Sequence, residues 1–425
     1  PPETTIDSGP DLTTVQTSAA FDFSASERNA TFQCRLDSAP FAPCAWTGVP
    51  SGALTGTRGS ISYPGLAVGS HTFEVRATDL DNNTDQTPAV YAWRVTPAPV
   101  PSQVGCGEFV VQSIRLTNDL LDCPGHGLIV GAHGITIDLN GHVIDGTGIE
   151  AGIVNNGFDS VTVTNGHIHE FDYGVQLNPG TSLNVVSGLR VEMNQEAGIG
   201  LSDADQNGLG NTIRQNTIVS NSWGVALFSN TRNTLIRDNA FGANQDDAVH
   251  MEGATANRVV SNEIVGSSGA GVFMQGGGDN VVAENELLTN LGGGVTVGEE
   301  LIPSNNNRVE RNTIEDSGGA GLAVNDSTGT QLLFNDVRGS GGAGAALDLA
   351  RNSVVRGNDL RSNAGGIELS EAVGNRIELN NAGGALGTGI AIESLSYDND
   401  VVQNTTSGNN GEGIAVADSA PAWQG

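Results

Sequence analysis

The 425-residue sequence contains no lysine, because all 18 of its basic residues are arginine. Chemistry that needs a lysine, such as a Schiff base or a phosphate-binding loop, is therefore excluded. Positive charge is scarce, since 48 acidic residues outnumber those arginines and the net charge is −30. Nucleic acids and anionic membranes are unfavourable partners for this chain, because both are bound mainly through Lys and Arg.

Long apolar runs and aromatic side chains are also scarce. No segment approaches the roughly 20 apolar residues of a membrane-spanning helix, and Phe, Trp and Tyr make up only 5% of the residues. We therefore expect no membrane insertion. The sequence begins at Pro1 without a charged and then apolar export segment, which we interpret as a processed or excised mature region.

The chain has only four cysteines, and they fall into two local pairs. Cys34 lies near Cys44, and Cys106 lies near Cys123. Two local pairs predict two disulfides and an extracellular location, either secreted or at the cell surface. Neither pair has the CxxC spacing of a zinc site.

Residues 1–95 have the pattern of an antiparallel β-sandwich. Short β-type runs at 20–23, 30–36 and 71–77 are separated by turn residues every ten or so positions. The segments 62–71 and 77–85 resemble the immunoglobulin-like or fibronectin-type modules of secreted bacterial proteins. In such a module the Cys34–Cys44 bond would close a hairpin loop rather than join the two sheets. Residues 96–103 follow as a Pro-rich, stiff linker.

From about residue 134 the sequence repeats with a period of 22–27 residues. One landmark is an asparagine within a β-branched segment, and a second is a glycine followed by apolar-x-apolar, which runs in phase with it. The asparagines are Asn216, Asn239, Asn262, Asn285, Asn312, Asn335, Asn358, Asn380 and Asn404. A repeat of this length without helical periodicity fits a rung of three short strands, which predicts a parallel β-solenoid with a buried asparagine ladder.

These repeats, together with the segments 138–144 and 163–168, resemble right-handed parallel β-helix proteins of the pectate-lyase-like superfamily. The carbohydrate-binding and sugar-hydrolase types of repeat are the most similar. The resemblance implies an all-β chain, with an immunoglobulin-like sandwich followed by a right-handed β-helix of about twelve rungs over 104–425. Such repeats occur in proteins of many activities, so the fold alone leaves the function open.

Departures from the repeat mark the candidate site, because equivalent positions stack in columns about 4.8 Å apart. The position two before the landmark glycine is acidic or serine in the early rungs and becomes glycine or alanine after Asp246. The segment 244–252 departs most strongly, and His250 is expected to point outward there. The predicted catalytic residues are Glu196, Asp246, Asp247 and His250, and the predicted sugar-binding residues are Tyr173, Trp223 and Phe273.

Paired carboxylates beside aromatic rings are the groups that hydrolyse polysaccharides. Glu196 and Asp246 lie two rungs apart, or about 9.6 Å, at the upper limit for an inverting hydrolase. The alternative interpretation of this column is a solvated acidic corner without function.

One loop has the pattern of a calcium site. Asp203, Asp205 and Asn207 alternate before a glycine, although the twelfth position is Arg214 rather than the glutamate of a complete loop. Calcium is the ion this loop would hold, and no other cofactor is required. A calcium-dependent lyase is the less favoured enzyme class, because its anionic uronate substrate would be repelled by this chain.

Two functions from different classes follow. The first is a secreted protein that binds, and as an enzyme would hydrolyse, a neutral polysaccharide on the acidic and aromatic face of the early rungs. The second is a non-catalytic, adhesin-like or filament-forming module with the β-helix as a rigid rod. The residues after the last repeat, including Pro421 and Trp423, are too few to cap a solenoid, which suggests head-to-tail assembly between copies.

Overall fold

The computed structural model describes residues 1–44, 56–205, 208–393 and 395–417, and every regular element within them is a β-strand. No helix that is long and apolar enough to cross a membrane occurs among these residues. The first eight strands are β1 (Thr4–Ser8), β2 (Thr13–Thr14), β3 (Ala19–Ala25), β4 (Thr31–Leu36), β5 (Ala42–Pro43), β6 (Thr57–Tyr63), β7 (Gly69–Thr78) and β8 (Ala89–Val95).

These strands form two sheets, of three strands in the order β1-β3-β6 and of five strands in the order β2-β8-β7-β4-β5. Alternate side chains of β3 and β7 are buried, as the period-two pattern of their sequences requires. They meet in an aromatic core in which the rings of Phe21 and Phe73 stack 4.2 Å apart and Trp93 packs edge-on against Phe21.

The remaining strands build one continuous solenoid. Its first strands are β9 (Val100–Ser102), β10 (Glu108–Val110), β11 (Ile114–Leu116), β12 (Leu120–Cys123), β13 (Leu128–Val130), β14 (Thr136–Asp138), β15 (Val143–Gly146), β16 (Ala151–Asn155), β17 (Thr162–His169), β18 (Tyr173–Leu177), β19 (Val185–Glu192) and β20 (Ala197–Ser202). The next are β21 (Thr212–Arg214), β22 (Thr217–Val219), β23 (Trp223–Phe228), β24 (Leu235–Arg237), β25 (Ala240–Gly242), β26 (Val249–Glu252), β27 (Arg258–Val260), β28 (Glu263–Val265), β29 (Ala270–Gln275), β30 (Val281–Ala283), β31 (Glu286–Leu288) and β32 (Gly293–Val297). The last are β33 (Arg308–Glu310), β34 (Thr313–Glu315), β35 (Leu322–Asn325), β36 (Gln331–Leu333), β37 (Asp336–Arg338), β38 (Ala343–Asp348), β39 (Val354–Arg356), β40 (Gly365–Ser370), β41 (Arg376–Glu378), β42 (Ile390–Ile392), β43 (Asp400–Val402) and β44 (Ile414–Val416).

One face of the solenoid is a 14-stranded sheet that we call sheet A, and all of its pairings are parallel. Its strands in order are β10, β13, β16, β18, β20, β23, β26, β29, β32, β35, β38, β40, β42 and β44. The other strands form a second, bent sheet with two columns of strands, which we call sheet B, and β17 and β19 run through both of its columns.

The predicted parallel β-solenoid is confirmed, with about thirteen turns rather than about twelve. The predicted range 104–425 includes β10 and β13, but these strands precede the first repeat landmarks, so the sequence did not define their turns. Strand β9 also pairs in parallel with β11, so the predicted linker 96–103 contains a strand of the stack.

The apolar-x-apolar motif places two side chains of each turn in the core. In β23, Val225 and Leu227 are completely buried and Ala226 between them points outward. Gly224 precedes them within β23, where a Cβ would lie 2.4 Å from the carbonyl oxygen of Ala248 on the next turn. Glycine is therefore the residue that lets the chain approach the next turn this closely.

The predicted asparagine ladder is confirmed across all nine positions. Asn285 receives a hydrogen bond on Oδ1 from Asn262 Nδ2 at 3.0 Å and donates from its own Nδ2 to Asn312 Oδ1 at 2.9 Å. Its Nδ2 also donates to the carbonyl oxygen of Val259. These amides are almost fully buried, so the ladder satisfies polar groups that would otherwise lose water without compensation.

Two further polar columns were not predicted. One contains Asn194, Asn221 and Asn244, and the other contains Asn257, Asn280 and Asn307. Serine, threonine or alanine replaces asparagine at several turns of both columns, as at Ser267, Ala385, Thr330 and Ser353. These interruptions hide the period from a search for one residue type.

Both predicted disulfides are confirmed, Cys34–Cys44 and Cys106–Cys123. The first lies within one sheet, because Cys34 in β4 is opposite Ala42 in β5. The second joins the segment before β10 to the end of β12, in the first turn of the solenoid.

The two-sheet unit contacts the solenoid directly. Thr13 Oγ1 donates to the carbonyl oxygen of Leu183 at 3.0 Å, and Arg214 forms an ion pair with Asp11. At the other end β44 exposes Ile414 and Val416. Pro421 and Trp423 lie outside the described residues, so assembly at this end stays a prediction.

Replacing Asn285 by Leu should lower the free energy of unfolding by about 1–3 kcal/mol, because its partners Asn262 and Asn312 would remain buried with unsatisfied amide groups. Urea denaturation monitored by circular dichroism measures this loss. Asn156→Leu, which changes an exposed asparagine off the ladder, is the control. Equal stability of the two variants would contradict the structural role of the ladder.

Candidate functional site

The column of acidic residues predicted from the repeat, which we call the acidic column, lies at the N-terminal ends of the strands of sheet A. Backbone N–H groups of Glu196 and Asp246 donate to the carbonyl oxygens of Asp172 and Ser222 on the preceding turns. Glu196 and Asp246 therefore occupy equivalent positions two turns apart, and both side chains are exposed. Their separation follows from the turn spacing as about 9.6 Å.

His250 is the centre of a cluster of aromatic rings on sheet A. The register aligns Gly200, Ala226, His250 and Phe273 in one outward column, as expected from the sequence. The His250 ring stacks on Trp223 with centroids 4.6 Å apart and on Phe273 at 5.3 Å. We call Trp223, Phe228, Asp247, His250 and Phe273 the His250 cluster.

The stacking limits which surfaces of this cluster a ligand can contact. His250 points outward but is only 7% exposed, because neighbouring rings cover both of its faces. Trp223 and Phe273 were predicted to bind sugar. One face of each ring is covered by His250, so only the faces and edges that point away from His250 can contact a ligand. Aromatic pairs at these distances also stabilise one another, which holds the rings in place.

Phe228 belongs to the cluster and was missed from the sequence. Its ring packs edge-on against Trp223 with centroids 5.7 Å apart and lies 6.2 Å from His250. It points outward from the same strand as Trp223, with Ala226 between them. The sequence could have identified it, because Phe228 is a large aromatic residue at an outward position. The equivalent position one turn later is Glu252.

Asp247 orients the imidazole of His250. Its Oδ2 lies 2.9 Å from His250 Nδ1, and its Oδ1 accepts the backbone N–H of Ala270 at 2.7 Å. Both oxygens of this buried carboxyl group are thus engaged, and they favour the tautomer with the proton on Nδ1. The Nε2 atom of His250 forms no hydrogen bond with any residue in the described ranges. Nε2 is therefore the ring atom without a partner among the described residues, whereas Nδ1 is positioned by Asp247.

Asp246 lies beside this pair. The carboxyl groups of Asp246 and Asp247 both lean over Gly269 of the next turn, where a Cβ would lie within 2.5 Å of either one. Burial raises the pKa of Asp246, and the negative charge of Asp247 raises it further. Gly269, the next residue of this column, therefore leaves the space that the two carboxyl groups occupy.

Trp223 provides an additional polar atom. Its indole Nε1 is buried and has no hydrogen bond of standard geometry among the described residues, although the Asp246 carboxyl lies near enough for the N–H to oppose the rise in its pKa. The indole N–H therefore faces Asp246 rather than solvent, and it helps to hold the Trp223 ring beside the acidic column.

Tyr173 lies two turns before Trp223 and covers Gly200, where a Cβ would lie 2.6 Å from the tyrosine ring. Burial raises the pKa of the Tyr173 hydroxyl, and the nearby carboxylates of Glu196 and Asp172 raise it further. Tyr173 thus lies next to the acidic column but apart from the stacked rings of the His250 cluster.

The predicted calcium loop uses its carboxylates internally. Asp205 is buried and accepts hydrogen bonds from Leu209 N on Oδ1 and from Asn233 Nδ2 on Oδ2. Asp203 Oδ1 accepts from Asn230 Nδ2. Asn207 lies outside the described residues, so calcium binding here stays a prediction.

Three arginines that recur at spacings of 24 and 23 residues do not reach this site. Arg190, Arg214 and Arg237 lie on sheet B, and they pair with Glu192, Asp11 and Asp238. No arginine therefore faces the His250 cluster from these positions.

Comparison with known proteins assigns the family. Residues 116–241, 207–348 and 296–423 match the family described as "Right handed beta helix region". The overlapping matches span well over half of the chain, which therefore belongs to the right-handed β-helix family. No curated protein matches it significantly.

Several solved structures have similar folds. The periplasmic alginate epimerase AlgG is 13% identical, with a TM-score of 0.48 over 72% of this chain and 78% of its own. DFA-IIIase from Arthrobacter chlorophenolicus A6 is 15% identical, with a TM-score of 0.44 over 67% of this chain and 84% of its own. The Dettilon tailspike protein gp208 is 13% identical, with a TM-score of 0.42, and the match covers 70% of this chain but 62% of the tailspike. The family assignment rests on the sequence match.

The raised pKa of Asp246 predicts a pH-dependent effect of Asp246→Asn. The folded state holds the proton of Asp246 more tightly than the unfolded state, so ionisation of this group lowers stability as the pH rises above about 3.8, its ordinary value. The variant should therefore melt at a higher temperature than the unmodified protein at pH 7, and the difference should vanish near pH 3. Calorimetry at both pH values tests this, with the exposed Glu300→Gln as the control. A lower melting temperature of the variant at pH 7 would contradict it.

Proposed function

We propose that this protein binds a neutral polysaccharide along sheet A, at the His250 cluster and the adjoining acidic column. The observation that carries this proposal is the stack of aromatic rings around His250, whose Nε2 forms no hydrogen bond among the described residues, next to the exposed carboxyl groups of Glu196 and Asp246. Sugars present hydroxyl groups next to apolar C–H faces, and this combination of ring edges, donors and acceptors is complementary to them.

The charge of the site favours a neutral ligand. Glu196 and Asp246 are exposed carboxylates that accept hydrogen bonds from sugar hydroxyl groups, and Asp172 adds a third acid to the column. A uronate would bring its own negative charge to this column and to a chain of net charge −30. Neutral glycans avoid this repulsion.

The solenoid geometry suits a chain-like ligand. Successive turns repeat about every 4.8 Å, so Tyr173, Trp223 and Phe273 are spread along the axis rather than around a closed pocket. A polymer lying along the axis contacts several of them at once. Each added contact then benefits from those already made.

Hydrolysis is a second candidate activity, favoured by the arrangement of Asp246, Asp247 and His250. The raised pKa of Asp246 suits a carboxylic acid that donates a proton to the leaving glycosidic oxygen. His250 Nε2, oriented by Asp247, is then the group that removes a proton from the attacking water. Glu196 lies two turns away and serves this scheme as a binding residue.

We further propose that the protein acts outside the cell and that residues 1–95 are an immunoglobulin-like module. Two disulfides support an oxidising compartment, and two sheets packed on an aromatic core support the module. The module contacts the solenoid through Thr13 and Asp11, on residues that lie outside the His250 cluster.

Trp223→Ala should weaken binding of a neutral polysaccharide by roughly 1–3 kcal/mol, because it removes both a contact surface and the indole N–H that faces Asp246. A glycan array identifies the ligand, and calorimetric titration measures its affinity. Trp223→Phe keeps an aromatic ring beside His250 and should lose only the hydrogen-bond part. Tyr397→Ala, at an exposed aromatic outside the cluster, is the control. If no glycan binds, or if all variants bind equally, the protein is a rigid structural module and the proposal is wrong.

Asp246→Asn and His250→Gln should each lower the rate of reducing-end release from a saturating polysaccharide far more than they weaken its binding. Loss of a general acid or base lowers the chemical rate by roughly 10²–10⁴, whereas the binding contacts of Trp223 remain. Tyr397→Ala should hydrolyse at the normal rate. Binding without reducing-end release by the unmodified protein would assign a binding function alone.

A further inference from the structure

A second cluster of polar side chains lies on sheet B, remote in register from the His250 cluster. Asp145 in β15 and His169 in β17 are direct partners in adjacent turns. Ile144 and Ile168 beside them are completely buried, so Asp145 and His169 both point outward. Glu170 follows at the corner. The ligand atoms of these three residues all lie within 4.8 Å of one another.

The backbone after β17 holds Glu170 in this place. Glu170 adopts a left-handed conformation with a φ of 59°, and its carbonyl oxygen accepts the N–H of Gly148 at 2.6 Å. The same carbonyl lies over Gly146, where a Cβ would be 2.3 Å away. The corner therefore closes tightly on the preceding turn, which places the Glu170 carboxyl 3.8 Å from His169 Nδ1.

Two atoms of the cluster lack a hydrogen bond although they are close together. Asp145 Oδ1 and His169 Nδ1 are 3.1 Å apart and buried, and neither has a hydrogen bond of acceptable geometry among the described residues. Burial of such atoms without a partner is costly. A separation of 3.1 Å is that of an ordinary N···O contact, and it also allows both atoms to reach one ion at about 2.0–2.2 Å.

A simple histidine–carboxylate pair in the same sheet looks different. His142 Nδ1 forms a hydrogen bond of 2.8 Å with Asp119 Oδ1, and that oxygen also accepts the backbone N–H of Val143. The pair is satisfied internally and has no third ligand nearby. The Asp145 cluster has the third ligand and lacks the hydrogen bond.

We infer that Asp145, His169 and Glu170 bind a divalent transition-metal ion, with zinc as the best fit. One imidazole and two carboxylates match the ligand preference of zinc, whereas calcium prefers six to eight oxygen atoms. The side chains of Asp145 and His169 are 19% and 17% exposed, and that of Glu170 is 55% exposed. The ion would therefore sit at the surface, with water completing its coordination on the solvent side.

His167, two residues before His169 on β17, and Glu192, opposite His169 on the next strand β19, lie beside the proposed site. The His167 ring lies 4.6 Å from that of His169, and its Nε2 binds Glu192 Oε1 at 2.9 Å. Glu192 is also paired with Arg190. Glu192 is thus already engaged by two partners, which leaves Asp145 and Glu170 as the carboxylate ligands.

Calorimetric titration of the full metal-free chain with ZnCl₂ tests this inference. The unmodified protein should bind one equivalent that His169→Ala does not bind, and Glu170→Gln should bind it about tenfold or more weakly. His142→Ala is the matched control, because it removes a histidine that also has a carboxylate partner, and it should bind like the unmodified protein. A parallel titration with CaCl₂ should show no difference between the unmodified protein and His169→Ala.

Thermal unfolding provides a second measurement that does not depend on glycan binding. Zinc should raise the melting temperature of the unmodified protein and of His142→Ala, but not that of His169→Ala, since a ligand stabilises only the fold that binds it. The melting temperatures without metal show whether each variant folds. Glu170 is exposed, so Glu170→Gln tests the site even if His169→Ala is unstable. Equal zinc binding by the unmodified protein and both variants, or no binding by the unmodified protein, would overturn the inference.

Discussion

The structure of this protein depends on the backbone hydrogen bonds between successive turns of the solenoid. A single turn has strands of only three to eight residues, too short to bury a core alone, and leaves its N–H and C=O groups unpaired at both edges. Stacking in parallel register satisfies these groups and places equivalent side chains above one another. The asparagine ladder extends the same principle to the corner at Asn285, where a side-chain amide replaces the strand backbone as donor and acceptor.

The same stacking builds both candidate sites. Trp223, His250 and Phe273 are separated by more than twenty residues from one to the next, yet their rings lie 4.6–5.3 Å apart because the turns align them. Asp145 and His169 meet in the same way on the other sheet. Inward positions are reserved for core residues such as Val249 and Met251, so the outward columns are where a β-helix can change its chemistry without losing its fold.

Glycine has a specific part in this arrangement. Gly269 leaves the space into which Asp246 and Asp247 lean, and Gly146 allows the corner at Glu170 to close. In both cases a side chain on one turn is positioned by the absence of a side chain on its neighbour. On sheet B, polar groups of adjacent turns are thereby brought within contact distance, which gathers three potential ligands. On sheet A, desolvation and the charge of the neighbouring Asp247 raise the pKa of Asp246.

The sequence alone determined the parallel solenoid, the nine-membered asparagine ladder, both disulfides and the outward direction of His250, because each follows from a period or a local spacing. Only the tertiary structure decided that His250 is covered by its neighbours, that Phe228 joins it and that Asp247 orients it, since side-chain packing between turns is not encoded in the repeat. The pairing of Asp145, His169 and Glu170 also emerged only there. The early turns carry weak repeat landmarks, so their register could not be read until the backbone hydrogen bonds aligned β15 with β17.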